Sequence, residues 1–123
     1  MKVSKAKRKN RRYQVRISGF HLKFDEQLML QKGIVRILKK IPQDSKIEFK
    51  ISKKIFYEAQ IFIKGSMFGC KFNSSSGNLK KLLSIIFEFT EDEIDTWKNS
   101  PGYNDEFAPY FGGYPSYYKE VNI

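Results

Sequence analysis

Apolar and polar residues alternate along four segments of the chain, which is the pattern of strands with one buried face. The segments are 13–24, 46–53, 55–64 and 67–72. Gly19 interrupts the first segment, and an isolated glycine within a strand pattern often marks a bend or a bulge. The other three segments are separated by short turns, so the sequence predicts a bent first strand and, later, a three-stranded meander.

Two further segments repeat apolar residues with the period of an amphipathic helix. The first covers 25–41, carries two acids in its first turn and ends before Pro42. The second begins at Leu79, where the loop 73–78 supplies an N-cap. A capping-box pattern follows at Thr90, which predicts either a kink or the start of a short third helix.

This order of elements predicts an α+β domain of the form β-α-β-β-β-α over residues 13–100. Two apolar helix stripes need a sheet to cover, so we expect two helices on one face of a four-stranded, mostly antiparallel sheet. The helices should bury four residues together: Leu30, Ile34, Leu83 and Ile86. Residues 1–12 form a basic N-terminal arm that is expected to be disordered alone. Residues 101–123 form an aromatic C-terminal tail, rich in Pro and Gly, that packs on the domain or on a partner.

Basic charge is concentrated in the first two thirds of the chain. Between Met1 and Lys81 there are 21 basic residues against five acids, which leaves +16. The remaining 42 residues carry two basic residues and eight acids, which leaves −6. Such a surplus is not needed for solubility and destabilises the compact state unless a polyanion offsets it. The sequence therefore predicts a nucleic-acid-binding protein, and a merely solvated basic protein is the alternative.

The candidate nucleic-acid contacts are basic residues of the arm, the first strand, the polar side of the first helix, a hairpin turn and the start of the second helix. They are Lys5, Lys7, Arg8, Lys9, Arg11, Arg12, Arg16, Lys32, Arg36, Lys39, Lys40, Lys53, Lys54, Lys80 and Lys81. Lys80 and Lys81 stand in a first helical turn, where the dipole favours acids, and a local rule broken without structural gain tends to mark function. No RNP-type aromatic motif, GXXG loop or recognition helix separates RNA from DNA.

The sequence offers little chemistry for an enzyme. Cys70 is the only cysteine and lies in a strand pattern, so we expect a buried structural thiol, and His21 is the only histidine. The acids at 91–95 are typical of a solvated helical turn rather than of a metal centre. We therefore expect no catalytic residue, no metal and no cofactor. No apolar run is long enough to span a membrane, and we expect a soluble, cytoplasmic protein.

Four segments resemble the ribosome-associated inhibitor and hibernation-promoting factor family. They are Val15-Arg16-Ile17-Ser18-Gly19, Leu38-Lys39-Lys40-Ile41, the meander 46–72, and Ser76-Gly77-Asn78-Leu79. Together with the element order, the resemblance covers about 13–87. It implies two helices on one face of a four-stranded sheet and a basic surface that binds the decoding region of the small ribosomal subunit. The contacts with rRNA phosphates that it implies are Arg16, Lys32, Arg36, Lys39, Lys40, Lys80 and Lys81.

The resemblance favours a non-enzymatic RNA-binding protein that associates with the ribosome and occupies an rRNA surface, with RNA preferred over DNA. Two alternatives remain open. One is a small inhibitor or adaptor, for example from a mobile element, that blocks the nucleic-acid channel or an acidic face of a larger protein. The other is a structural component of a ribosome or ribonucleoprotein.

Three features have no counterpart in that family: the basic arm, the acidic pattern at Thr90 and the aromatic tail. Aromatic side chains of the tail are expected to pack on the domain, or else to stack on unpaired bases or dock on a protein partner. The candidates for stacking or docking are Tyr110, Phe111, Tyr114, Tyr117 and Tyr118. The sequence does not predict the oligomeric state.

Overall fold

The computed structural model describes residues 12–99 and 117–123, and within these ranges the chain forms two helices and five strands. They are β1 (Tyr13–Ser18), α1 (Phe24–Lys40), β2 (Lys46–Lys53), β3 (Tyr57–Lys64), β4 (Phe68–Ser76), α2 (Leu79–Lys98) and β5 (Tyr117–Asn122). The first six elements have the predicted types in the predicted order. A fifth strand, which the sequence pattern did not predict, follows them.

The five described strands form one sheet in the order β1-β2-β3-β4-β5. Strands β2, β3 and β4 form the antiparallel meander, whereas β1 pairs parallel with β2 and β5 pairs parallel with β4. The expectation of a four-stranded, mostly antiparallel sheet is therefore wrong. The physical reason is that α1 lies between β1 and β2 in the chain and α2 between β4 and β5. A connection through a helix joins parallel strands.

The core lies between the sheet and the two helices. Alternate residues of the three meander strands are almost fully buried: Ile47, Phe49, Ile51, Ala59, Ile61, Ile63, Phe68, Cys70 and Phe72. Residues of both helices belong to the same cluster, including the predicted set Leu30, Ile34, Leu83 and Ile86. Because one core joins both helices to one set of strand residues, the helices cover the same face of the sheet. The described residues leave the opposite face open.

Helix α2 runs from Leu79 to Lys98 without interruption, through Thr90, where either a kink or a new helix was expected. The Thr90 hydroxyl is buried and donates a hydrogen bond of 2.7 Å to the carbonyl oxygen of Ile86, one turn earlier. Thr90 is therefore an interior residue of the helix, and its side chain is satisfied there rather than at a cap. The expected N-cap is confirmed, since the Asn78 side chain accepts a hydrogen bond of 3.0 Å from the Lys81 N–H.

Two strand boundaries differ from the sequence pattern. β1 stops before Gly19, whose φ of +87° is rarely adopted by residues with a side chain. A Cβ at Gly19 would also lie 2.5 Å from the carbonyl oxygen of Lys53, so the close approach requires glycine. β4 instead runs to Ser76, through most of the expected loop, because its backbone pairs with β3 as far as Tyr57.

The fifth strand comes from the aromatic tail and packs along β4. The ring of Tyr117 stacks on Phe68, with centroids 5.5 Å apart. Its hydroxyl donates a hydrogen bond of 2.8 Å to the Glu93 carboxylate of α2. Burial and this carboxylate raise the pKa of Tyr117 to about 12. The end of the tail therefore covers the edge that β4 would otherwise expose.

The two helices approach each other closely at Gly33 of α1. A Cβ at this position would lie 2.5 to 2.7 Å from three ring atoms of Phe87 in α2. Phe87 is buried and stacks on Phe49, with centroids 5.3 Å apart, so its ring has little room to move. Helix packing therefore explains a glycine in a helix interior, where it normally costs about 1 kcal/mol relative to alanine.

Gly33→Ala is expected to lower the free energy of unfolding by about 1 to 2 kcal/mol, since overpacking outweighs the gain in helix propensity. Urea unfolding followed by circular dichroism measures the change. In a chain that already carries Phe87→Leu, Gly33→Ala should cost less than it does in the parent, because the obstructing ring is gone. A single Gly33→Ala variant more stable than the parent would contradict the close helix contact.

Candidate nucleic-acid interface

The basic residues of α1 do not form one free surface, because acids of α2 pair with two of them. Arg36 Nε lies 3.0 Å from Glu91 Oε2. Lys40 Nζ lies 3.2 Å from Asp95 Oδ1. Both pairs join residues 55 positions apart, as expected for two helices that run parallel and side by side. Two of the acids expected to form a solvated turn thus pair with α1, in contacts that stay partly exposed.

A third pair with the same spacing joins the first turns of the helices. Lys80 forms an ion pair with Asp25, and its hydrogen bond to the carboxylate lowers the pKa of Asp25. This contact gives a structural reason for a lysine in the first turn of α2. By contrast, Lys32 and Lys39 on α1 are exposed and make no ion pair within the described residues.

Arg12 anchors the start of the domain. Its guanidinium donates hydrogen bonds of 2.9 Å to the Pro42 carbonyl and 3.3 Å to the Ser45 carbonyl. Its own carbonyl accepts a hydrogen bond of 2.7 Å from the Ile47 N–H. Arg12 therefore fixes the entry to β1 on the turn that follows α1. The other arm candidates lie outside the described residues: Lys5, Lys7, Arg8, Lys9 and Arg11.

The topology brings the β2–β3 turn and the first turn of α2 to the same end of the molecule. Tyr57, at the start of β3, is the register partner of Ser76, at the end of β4. Beyond them the ring of Phe56 lies near Gly77, where a Cβ would be 3.8 Å from it. The turn and the start of the helix are therefore neighbours. We call this surface the basic end, and its residues are Lys53, Lys54, Ile55, Phe56, Lys80 and Lys81.

The basic end combines ammonium groups with exposed apolar side chains. Lys54 and Lys81 are exposed and form no ion pair with any residue that the structure describes. Lys53 lies over an aromatic ring of β3, 4.8 Å from the centroid. Ile55 and Phe56 are 85% and 57% exposed. An exposed ring beside lysines can stack on a base while the ammonium groups contact phosphates.

Arg16 lies on a different surface, the open face of the sheet. Its register partner on β2 is Lys50, and a groove of about 920 Å³ lies beside the two residues. Arg16 is thus separated by the sheet from the helical lysines with which the resemblance grouped it.

The two described aromatic residues of the tail point to opposite faces of the sheet. Tyr117 packs on the helix-covered side, whereas Tyr118 lies on the open face and is 45% exposed. Of these two, only Tyr118 is accessible for stacking. The other tail candidates, Tyr110, Phe111 and Tyr114, lie outside the described residues.

The described residues offer no clustered metal ligands and no activated thiol. Burial raises the pKa of Cys70 to about 12, so at neutral pH this side chain is a protonated, inert thiol. Residues 12–99 and 117–123 contain no group of three His, Cys, Asp or Glu side chains that could hold a metal ion. None of their helices is long and apolar enough to cross a membrane.

Two solved structures are similar to this chain over most of their length. A ribosomal subunit interface protein from Coxiella burnetii superposes with a TM-score of 0.58 at 13% sequence identity, over 72% of this chain and 98% of that chain. The N-terminal domain of Protein Y from Thermus thermophilus superposes with a TM-score of 0.55 at 10% identity, over 68% of this chain and 94% of that chain. The chain has the fold of a ribosomal subunit interface protein. No protein-family model and no curated protein matches the sequence.

The resemblance drawn from the order of elements is thus confirmed at the level of the fold. The Coxiella burnetii protein is matched almost completely, whereas more than a quarter of this chain lies outside the match. The parts of this chain outside the match are therefore not part of the fold that it shares with the Coxiella burnetii protein.

Sequence reasoning missed two parts of the site. It did not find the acidic partners of the basic residues, because an offset of 55 positions between two helices is set by tertiary packing. It also assigned Ile55 to a strand, and so overlooked Phe56 as an exposed ring. The available signal was an apolar pair directly after two lysines, at a hairpin turn where polar residues are usual.

Proposed function

We propose that this protein is a non-enzymatic RNA-binding protein that associates with the ribosome and acts by occupying an rRNA surface. The observation that carries the proposal is the basic end, where Lys54 and Lys81 lie at the same end of the fold as the exposed ring of Phe56. The fold, which a ribosomal subunit interface protein also has, supports the ribosome as the source of that RNA.

Binding would come mainly from contacts with the RNA backbone. Lysine ammonium groups bind phosphate oxygens as point charges, which gives affinity with little dependence on sequence. Phe56 would stack on an unpaired base, which favours RNA with loops or single-stranded segments over duplex DNA. The exposed lysines Lys32 and Lys39 would extend the contact along α1. Association with ribosomes would place the protein in the cytoplasm.

The proposal assigns no catalytic role to any residue. The inert thiol of Cys70 and the paired acids Glu91 and Asp95 serve the packing of the domain. Inhibition of translation by occupancy needs only a surface that fits rRNA and competes with other ligands of the same site.

Filter binding of the full chain to purified small ribosomal subunits, at a series of salt concentrations, tests the proposal. The logarithm of the affinity should fall with the logarithm of the salt concentration at a slope of roughly −4 to −7, from about five to eight neutralised phosphates. Protein-free rRNA fragments and large subunits serve as comparison ligands. Absence of binding to all three, or binding without salt dependence, would overturn the proposal.

Deleting residues 1–11 is expected to weaken binding to different RNAs by a similar factor, because lysine and arginine side chains contact phosphates without reading bases. The deletion should stop before Arg12, whose hydrogen bonds belong to the domain. Filter binding to three unrelated RNAs of equal length measures the effect. A deletion that changes which RNA is preferred would show that the arm reads bases or a groove.

A further inference from the structure

The open face of the sheet carries a row of polar side chains across all five described strands. The row follows from the register, in which each residue is the partner of the next. Its members are Arg16, Lys50, Gln60, Asn73 and Asn122. No described helix covers this face, and Arg16, Lys50 and Asn122 are exposed.

The amide side chains of this row are linked in a fixed direction. Gln60 donates a hydrogen bond of 2.8 Å to the side-chain oxygen of Asn73. Asn73 in turn donates one of 3.0 Å to the side-chain oxygen of Asn122. Each amide keeps an unused N–H within the described residues, and Gln60 keeps its carbonyl oxygen. These groups are held in place and can pair with the polar edge of a base.

The groove beside this row is positively charged at one side. Its volume of about 920 Å³ lies in the upper part of the range of ~300 to 1,000 Å³ for ligand sites. Arg16 and Lys50 lie side by side on neighbouring strands at its wall, and neither forms an ion pair with a described residue. Two carboxylates border this positive strip. Glu58 lines the groove two residues before Gln60 on β3. Glu48 lies two residues before Lys50 on β2 and pairs with Lys64, and the hydrogen bond from Lys64 together with the charges of Lys50 and Arg16 lowers its pKa.

Two aromatic rings lie on the same face, toward the other end of the strands. Tyr118 of β5 packs over Gly69, where a Cβ would lie 2.8 Å from the ring. Phe62 of β3 has two ammonium groups over its ring, those of Lys64 and Lys71, each 5.2 Å from the centroid. These cations cover the ring of Phe62, and Lys64 also pairs with Glu48 at 2.9 Å, so Tyr118 is the ring of the two that can stack on a base.

We propose that this open sheet face is a second RNA-binding surface, which takes a single-stranded segment of a few nucleotides. Arg16 and Lys50 bind its phosphates, the amide row pairs with base edges and Tyr118 stacks on a base. The inference rests on the proposed RNA-binding function but uses residues separate from the basic end. The tail strand contributes both Tyr118 and Asn122, so this surface depends on the fifth strand.

A single strand fits this face better than a duplex does. Aromatic and amide side chains on a sheet surface bind bases that are unstacked and splayed out. In a duplex, pairing and stacking hide the edges and faces of the bases from such side chains. Phosphate contacts alone would not distinguish the two forms. The proposed surface therefore strengthens the preference for unpaired RNA that Phe56 gives the basic end, and variants of the sheet face should weaken that preference.

Fluorescence anisotropy of the full chain with a labelled ten-nucleotide single-stranded RNA tests the proposal, with a ten-base-pair RNA duplex as the second probe. Tyr118→Ala should weaken binding of the single strand about tenfold, through lost stacking. Tyr118→Phe, which keeps the ring and loses only the hydroxyl, should bind as the parent does. The double variant Arg16→Gln/Lys50→Gln should also weaken binding about tenfold, and each of its two single variants should weaken binding more than Lys98→Gln, which removes one charge at the end of α2, away from the sheet face.

Thermal melting of each variant separates lost binding from lost folding. If the parent binds RNA but both sheet-face variants bind as tightly as the parent, the second surface is overturned and the basic end stands. If the parent binds neither RNA probe, the proposed function itself fails. If the parent binds a ten-residue polyglutamate peptide as tightly as it binds the single-stranded RNA, the binding reflects charge attraction or a protein ligand. That result would overturn RNA recognition by this face.

Discussion

Neutralising two lysines of the basic end, in the double variant Lys54→Gln/Lys81→Gln, is expected to weaken RNA binding about 25-fold at roughly 0.1 M salt. Each phosphate contact on a single strand contributes about 0.7 to the salt slope, and thus about fivefold in affinity at this concentration. The magnitude of the slope should fall by about 1.4. Both lysines are exposed and unpaired within the described residues, so the fold should be unaffected.

The matched control for this variant is Lys46→Gln/Lys98→Gln. It removes the same charge at the opposite end of the molecule, at the start of β2 and the end of α2. Filter binding at several salt concentrations compares the two double variants with the parent. Equal losses in both would mean that net charge alone drives binding and would contradict a defined site at the basic end. Arg36, Lys40 and Lys80 are left unchanged, because each forms an ion pair between α1 and α2. Replacing them would change the stability of the domain as well as its binding.

Truncating the chain after Ser116 is expected to lower the melting temperature by about 10 °C. The truncation removes β5 and with it the ring of Tyr117 on Phe68 and the packing of Val121 beside Phe72. The lost apolar burial, minus the conformational entropy that ordering the segment costs, lowers the free energy of unfolding by about 2 kcal/mol. The melting temperature of a domain of this size falls by ~4 to 8 °C per kcal/mol. The truncation also leaves the edge of β4 unpaired.

Two single variants separate the parts of this effect. Tyr117→Phe keeps the stacked ring and removes only the hydrogen bond to Glu93, so we expect a loss of about 1 kcal/mol. Tyr117→Ala removes both and should approach the truncation. Differential scanning calorimetry measures all three proteins. An unchanged melting temperature after truncation would contradict β5 as part of the fold.

The first six elements were predictable because their apolar residues repeat with a clear period. The alternation of Ile47, Phe49 and Ile51 matches a strand buried on one face, and the stripe from Leu30 to Ile37 matches α1. Strand β5 was not predictable from its pattern. It is short, follows a segment rich in Pro and Gly, and is stabilised by β4 rather than by its own sequence.

The composition of the site was predictable, but its geometry was not. Lys54 and Lys81 were recognised as basic residues in a turn and a first helical turn, yet 27 positions separate them in the chain. Only the antiparallel pairing of β3 with β4 brings them to the same end. The pairing of Arg36 with Glu91 likewise depends on two helices lying parallel, so the sequence overestimated the free basic surface of α1.

Affinity purification of the tagged full chain from cells, followed by identification of both RNA and protein in the eluate, tests the central claim most directly. The account predicts that rRNA and ribosomal proteins co-purify, that raised salt releases them and that the Lys54→Gln/Lys81→Gln variant recovers much less. The Lys46→Gln/Lys98→Gln variant should recover much more than the Lys54→Gln/Lys81→Gln variant does. Recovery of one non-ribosomal protein without rRNA, equally from all three chains, would contradict the account and point to an inhibitor or adaptor instead.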